Sequence, residues 1–135
     1  MDQDKIKNVE HAIASWVESS NEDFDAMVDM YNSGRYSWSM FIGHLCVEKL
    51  LKAYYIKIMH EHCINTHNLL RICELAGLSL TQVQKQDFAT ITTFNIRARY
   101  DDYKQDFHKK CTKEFTDEWI EKIKSHRQWI KELLK

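Results

Sequence analysis

Four side chains able to hold a soft metal ion crowd the segment KIMHEHCINTH, Lys57 to His67: His60, His62, Cys63 and His67. Zinc takes four nitrogen or sulfur ligands at about 2.0–2.3 Å, and His60 and Cys63 stand one helical turn apart. The spacing nevertheless follows no familiar zinc pattern. Histidines also suit the negative C-terminal end of a helix, so a helix end followed by a capped restart accounts for the same residues without an ion. No metal and no cofactor is expected.

Two further groups could do chemistry. His44, Glu48 and Lys52 recur at four-residue steps and share one helical face, with Glu48 ahead of Lys52 in the favourable order for an ion pair. They form either a solvated stripe or one wall of a groove, and Lys49 stands beside them. In FNIRARYDDY, Phe94 to Tyr103, two arginines alternate with two aspartates and two tyrosines. Arginine grips phosphate in a fork, aspartate can orient it, and tyrosine can stack on a base or donate a hydrogen bond. An Arg/Asp network pinning this segment to the rest of the fold is the structural alternative. His108, Lys109 and Lys110 follow. A histidine that moves protons and an arginine that stabilises charge on phosphate are what metal-free RNA cleavage would use.

These residues need a scaffold, and the sequence points to an all-α one. There is no proline and only three glycines, which removes the usual punctuation of strand-rich folds. Apolar residues from Ile6 through Trp16 and Phe24 to Tyr31 recur at three- and four-residue steps, predicting a long helix with a possible break at ESSNED and a stop at Gly34. Ser37 is the expected N-cap of a second long helix running through Trp38, Leu45, Leu51 and Ile58, whose wide apolar stripe places it centrally. Thr66 or Asn65 should cap a short third helix ended by Gly77. Leu80, Val83, Phe88 and Ile91 predict a fourth of about three turns. NIRARYDDYKQDFHKKC reads as a connection, and Thr112 or Thr116 opens a last helix carrying Trp119, Ile123 and Ile130. An up-and-down four-helix core with a short extra helix follows.

With 135 residues the expectation is a single domain spanning 1–135. No apolar run approaches the roughly 18 residues of a membrane span. The polar, acidic opening MDQDKIKNVEH does not read as a secretory signal, and the four cysteines form no CxxC pair, so a cytoplasmic protein with reduced thiols is expected. The net charge of −1 offers nucleic acid no global attraction. It hides a gradient: residues 1–33 carry 2 basic and 8 acidic side chains, whereas residues 97–135 carry 11 and 8.

Taken together, these motifs resemble the HEPN family (higher eukaryotes and prokaryotes nucleotide-binding). GHLCVEKLLKAYYIK is similar to its long-helix signature, THNLLRICELAGL to its Thr-His-Asp/Asn-Leu segment, and IRARYDDY to its Ala-Arg-Tyr-Pro-Asp stretch, with Asp101 where proline would stand. AMVDMYNSGRYSWSMF resembles the segment before the long helix, so the likeness spans roughly residues 10 to 134. It implies a bundle of about five helices that forms homodimers, binds nucleotide or RNA, and partners a minimal nucleotidyltransferase in a prokaryotic toxin–antitoxin or defence system. Carried onto this chain, Glu48, Lys49 and Lys52 match the long-helix signature, His67 the Thr-His motif, and Arg99, Tyr100 and Asp102 the Ala-Arg-Tyr-Pro-Asp motif; with Arg97 and Tyr103 of the same stretch, Lys49, Lys52, Arg99, Tyr100 and Asp102 are the expected binding residues. In a dimer the long helix and RARYDDY should face their copies across a two-fold cleft. Some members are metal-independent endoribonuclease toxins, with four to six residues between an Arg and a His. Here eight separate Arg99 from His108, so a binding protein is the first expectation; a nuclease with Arg99 and His108 as its catalytic pair is the alternative the resemblance implies, and a non-catalytic interaction module a further one.

Overall fold

A computed structural model of the chain describes residues 5–135, so the first four residues of the acidic opening lie outside the described residues. Six helices occupy the described part: α1 (Val9–Asn32), α2 (Tyr36–Met59), α3 (Leu69–Leu75), α4 (Gln82–Arg99), α5 (Asp101–Lys110) and α6 (Lys113–Leu133). No helix among the described residues is long and apolar enough to cross a membrane.

Local chemistry explains where the elements begin and end. The polar stretch ESSNED leaves α1 unbroken, because its side chains bond other helices: Ser20 is buried and donates to the Cys46 carbonyl at 2.8 Å. Ile6 is not helical, as its backbone N–H donates to the His60 carbonyl at 2.8 Å instead. Gly34 turns the chain with φ 78°, the left-handed region that glycine enters without steric cost. Arg35, not Ser37, occupies the N-cap of α2, since the Ser39 N–H already closes the first turn on the Arg35 carbonyl. The α3 cap is Asn68, whose Oδ1 accepts from the Arg71 N–H at 3.2 Å, while Thr66 accepts from Asn68 one step earlier. Thr81 and Gln84 form a capping box at the start of α4, and Thr112 caps α6.

The largest departure from expectation lies between residues 94 and 110. Helix α4 runs 18 residues to Arg99 instead of about three turns, and the expected connection forms α5 after a break at Tyr100. Phe94 and Ala98 carry the buried face of α4 onward from Ile91, and α5 is held by one fully buried side chain, Phe107. Phe94 is the hub: its ring lies 5.5 Å from Phe107 and 5.6 Å from Trp119, the latter edge-on, which ties α4, α5 and α6 together.

Contacts fix the topology. Ser39 bonds the Met27 carbonyl, Ser20 bonds Cys46, and Lys52 covers Trp16, so numbers rise on one helix as they fall on the other and α1 runs antiparallel to α2. Tyr31 meets Asp117 and Asn21 meets Arg127, which sets α6 antiparallel to α1. Asp87 meets His126 and Phe94 meets Trp119, which sets α4 antiparallel to α6. The four long helices therefore alternate up and down. Helix α2 is the central element, with 13 of its 24 residues buried, and Gly43 lets α1 and α6 close on it. A Cβ there would stand 2.7 Å from Ile123 Cδ1 and 2.9 Å from Met27 Sδ.

Candidate functional site

Helix α2 buries three polar side chains on one face: His44, Glu48 and Lys52, none more than 7% exposed. The loop before α3 folds back over them. His44 Nε2 donates to the His67 carbonyl at 2.8 Å, and since a carbonyl can only accept, the His44 proton sits on Nε2. Burial holds the His44 imidazole below the ordinary histidine value, which keeps it neutral. Glu48 is shared: Oε2 meets the Lys52 ammonium at 3.1 Å, and Oε1 accepts from His67 Nδ1 at 2.8 Å. The stripe anticipated as either solvated or groove-lining is thus a buried string that orients an outer histidine.

That histidine borders a groove of about 300 Å³ between the α3 approach and the second half of α4. Thr66, His67 and Asn68 form one wall, and Thr92, Asn95, Ile96, Arg99 and Tyr100 the other. Thr92 Oγ1 fastens the walls together, accepting from the Leu69 N–H at 3.1 Å while donating to the Phe88 carbonyl at 2.8 Å. Asn95 is 3% exposed, and its Nδ2 amide is a buried donor beside the groove with no partner among the described residues. The Arg99 guanidinium lies 5.6 Å from the centre of the exposed Tyr100 ring. Among the described residues neither Arg97 nor Arg99 has a carboxylate within 4 Å. Among the described residues the Arg/Asp network offered as the structural alternative is not formed: Asp101 sits at the exposed start of α5 and reaches Lys104, at 3.9 Å.

The other sequence-derived candidates are dispersed. Arg97 stacks 5.1 Å from the centre of the buried Phe107 ring, on the α5 side of α4. His108 borders a second groove with Trp38, Ala98 and Lys104, not the one that holds Arg99. Asp102 and Tyr103 are exposed in the first turn of α5. Lys49 points to α1, donating to Ser19 at 2.8 Å and pairing with Asp23 at 2.7 Å, and Lys52 is taken up by Glu48. In the opening cluster, His60 caps α2 in a left-handed conformation with φ 59°, His62 is exposed, and His67 is turned to Glu48. Among the described residues no three His, Cys, Asp or Glu side chains are placed to share a metal ion. Cys46, Cys73 and Cys111 are buried free thiols, and burial pushes Cys73 and Cys111 up to about 12.

Comparison with protein families agrees with this arrangement: the model of the HEPN domain matches residues 13–133, nearly the entire chain. The chain belongs to the HEPN family. HEPN domains are nucleotide- or RNA-related and often dimerise. No curated protein and no solved structure matches the chain. Two of the HEPN-like segments meet at the groove, the Thr-His segment on one wall and Arg99 with Tyr100 on the other, while the long-helix segment supplies Glu48, bonded to His67. Sequence reasoning missed Asn95 and Thr92. Asn95 does fall on the face of Phe88 and Ile91, at four- and seven-residue spacing, and a polar residue on an apolar helical stripe is the signal that could have exposed it.

Proposed function

We propose that the chain acts as one HEPN domain, residues 1–135, that binds nucleotide or RNA in the groove between His67 and Arg99. On this reading it works as a cytoplasmic homodimer beside a nucleotidyltransferase-type protein in a prokaryotic toxin–antitoxin or defence system. The observation that carries the binding reading is the Arg99 guanidinium, which lines the groove and which no carboxylate neutralises among the described residues. A phosphate suits the Arg99 guanidinium, and the exposed Tyr100 ring beside it offers a face on which a base can stack.

Calorimetric titration with nucleoside phosphates and short single-stranded RNA tests this. Arg99→Ala should weaken binding by about 10- to 100-fold, the worth of a charge-assisted hydrogen bond. Unchanged affinity in that variant would remove the groove from consideration. The endoribonuclease built on Arg99 and His108 ranks second, since the two border different grooves of one chain and would have to meet across a two-fold axis.

A further inference from the structure

The acidic first third and the basic last third of the chain are expected to neutralise each other where α1 meets α6, and at one place they do not. Arg127 and Lys131 stand one turn apart on α6 and donate to the same atom, Asn21 Oδ1, at 3.2 and 2.8 Å. Like charges at this spacing repel, and an amide oxygen carries no charge to offset two cations. Among the described residues no carboxylate stands within 4 Å of either one: Asp23 is taken by Lys49 at 2.7 Å and Glu132 by Lys135 at 3.0 Å, while Glu18 and Glu22 are exposed. Burial, and then the Arg127 charge, hold the Lys131 ammonium below the ordinary lysine value, the mark of a cation short of a partner. The Arg127 guanidinium lies over the Phe24 ring, 3.9 Å from its centre, which fixes its place. Its Nε is buried, out of reach of any ligand. Nη1 and two of the three Lys131 N–H groups are the donors left, on two side chains that are only half-buried.

We infer that Arg127 and Lys131 form a binding site between α1 and α6 for a doubly charged phosphoryl group, either the free phosphate ion or a phosphate monoester. Two uncompensated positive charges match a dianion better than a singly charged phosphodiester or carboxylate. Because both cations hang on one Asn21 oxygen, they stand close enough for two oxygens of one tetrahedral ion to meet Arg127 Nη1 and Lys131 Nζ together. Asn21 sets the spacing of the two donors, and Phe24 seats the guanidinium. The pair Lys49 and Asp23 keeps the neighbouring carboxylate neutralised, so that it does not repel the ion. This site shares no residue with the groove between His67 and Arg99, and the two stand or fall separately.

The isotope-labelled full-length protein is titrated with sodium phosphate at about pH 8, where the ion carries its second charge, and in parallel with sodium chloride at matched ionic strength. Backbone amide and arginine side-chain resonances report the outcome. Saturable shifts at Asn21, Arg127 and Lys131 are expected in phosphate and not in chloride. Arg127→Gln and Lys131→Gln should each weaken the affinity by about 10-fold or more, the worth of a charge-assisted hydrogen bond. Methyl phosphate separates the two sources: binding as tight as that of the free ion assigns the site to a phosphate monoester, and its exclusion assigns the site to the free ion. Dimethyl phosphate, with its single charge, should bind at least about 10-fold more weakly. Equal shifts in chloride and phosphate, equal affinity for dimethyl phosphate, or affinity unchanged in both variants would overturn the inference. Phosphate shifts confined to His67 and Arg99 would overturn it as well, while supporting the groove as the place where phosphate binds.

Discussion

Replacing Glu48 by alanine removes the one carboxylate that both Lys52 and His67 face. Glu48 is 4% exposed and Lys52 7%, so the variant strands an ammonium ion inside the bundle, with the Trp16 ring 5.7 Å away. Breaking a buried pair from one side costs about 3–5 kcal/mol, because the remaining charge keeps its desolvation penalty and loses its partner. With an unfolding entropy of about 2.1 cal/mol/K per residue, a chain of 135 residues should lose about 11–18 °C in Tm. Removing both charges tests the reasoning, since a buried pair replaced by apolar groups of similar volume is often neutral. Glu48→Leu combined with Lys52→Met should therefore recover most of the loss. Thermal melts followed by circular dichroism, with urea unfolding as a second measure, decide it. A Glu48→Ala variant within about 1 kcal/mol of wild type would show that the pair is hydrated and that the buried string does not hold His67.

Three other outcomes follow from the packing. His126→Phe keeps the contact with the Phe88 ring but leaves Asp87, paired with His126 at 2.8 Å, with only Lys122 at 3.6 Å, and should cost about 2 kcal/mol in urea unfolding with an unchanged m value. Gly43→Ala gains helix propensity but pushes its methyl against Ile123 and Met27, so a net loss of about 1 kcal/mol is expected, and a raised Tm would refute the close approach of α1 and α6. His44 is held neutral below its ordinary value of 6.5, so the unfolded chain takes up its proton first as the pH falls. Its share of stability is complete above about pH 6.5 and lost below it, and His44→Gln should flatten that acid slope; identical slopes would contradict its burial.

The all-α class, the central long helix, the stop at Gly34 and the cap at Thr112 were legible because each leaves a local mark: a periodic stripe, a glycine after it, a threonine before it. Helix α5 left none. It packs through Phe107 almost alone, and one buried residue in ten makes no period. The site was legible in its residue types but not in its geometry. Nothing local couples Glu48 to His67 across 19 residues, since their bond depends on the loop before α3 folding back onto α2. Nor could spacing reveal that Arg99 and His108 flank a helix break at Tyr100 and border different grooves. Lys49 illustrates the opposite error: a basic residue in a family motif reads as a ligand contact until its partners Asp23 and Ser19 on α1 are seen.

The most direct test of the groove is a titration of isotope-labelled protein with short single-stranded RNA, followed residue by residue through backbone amide resonances. The account predicts that the shifting amides cluster at Thr66, His67, Asn95, Arg99 and Tyr100. Shifts centred instead on Trp38, Lys104 and His108, or no shifts at saturating RNA, would contradict it.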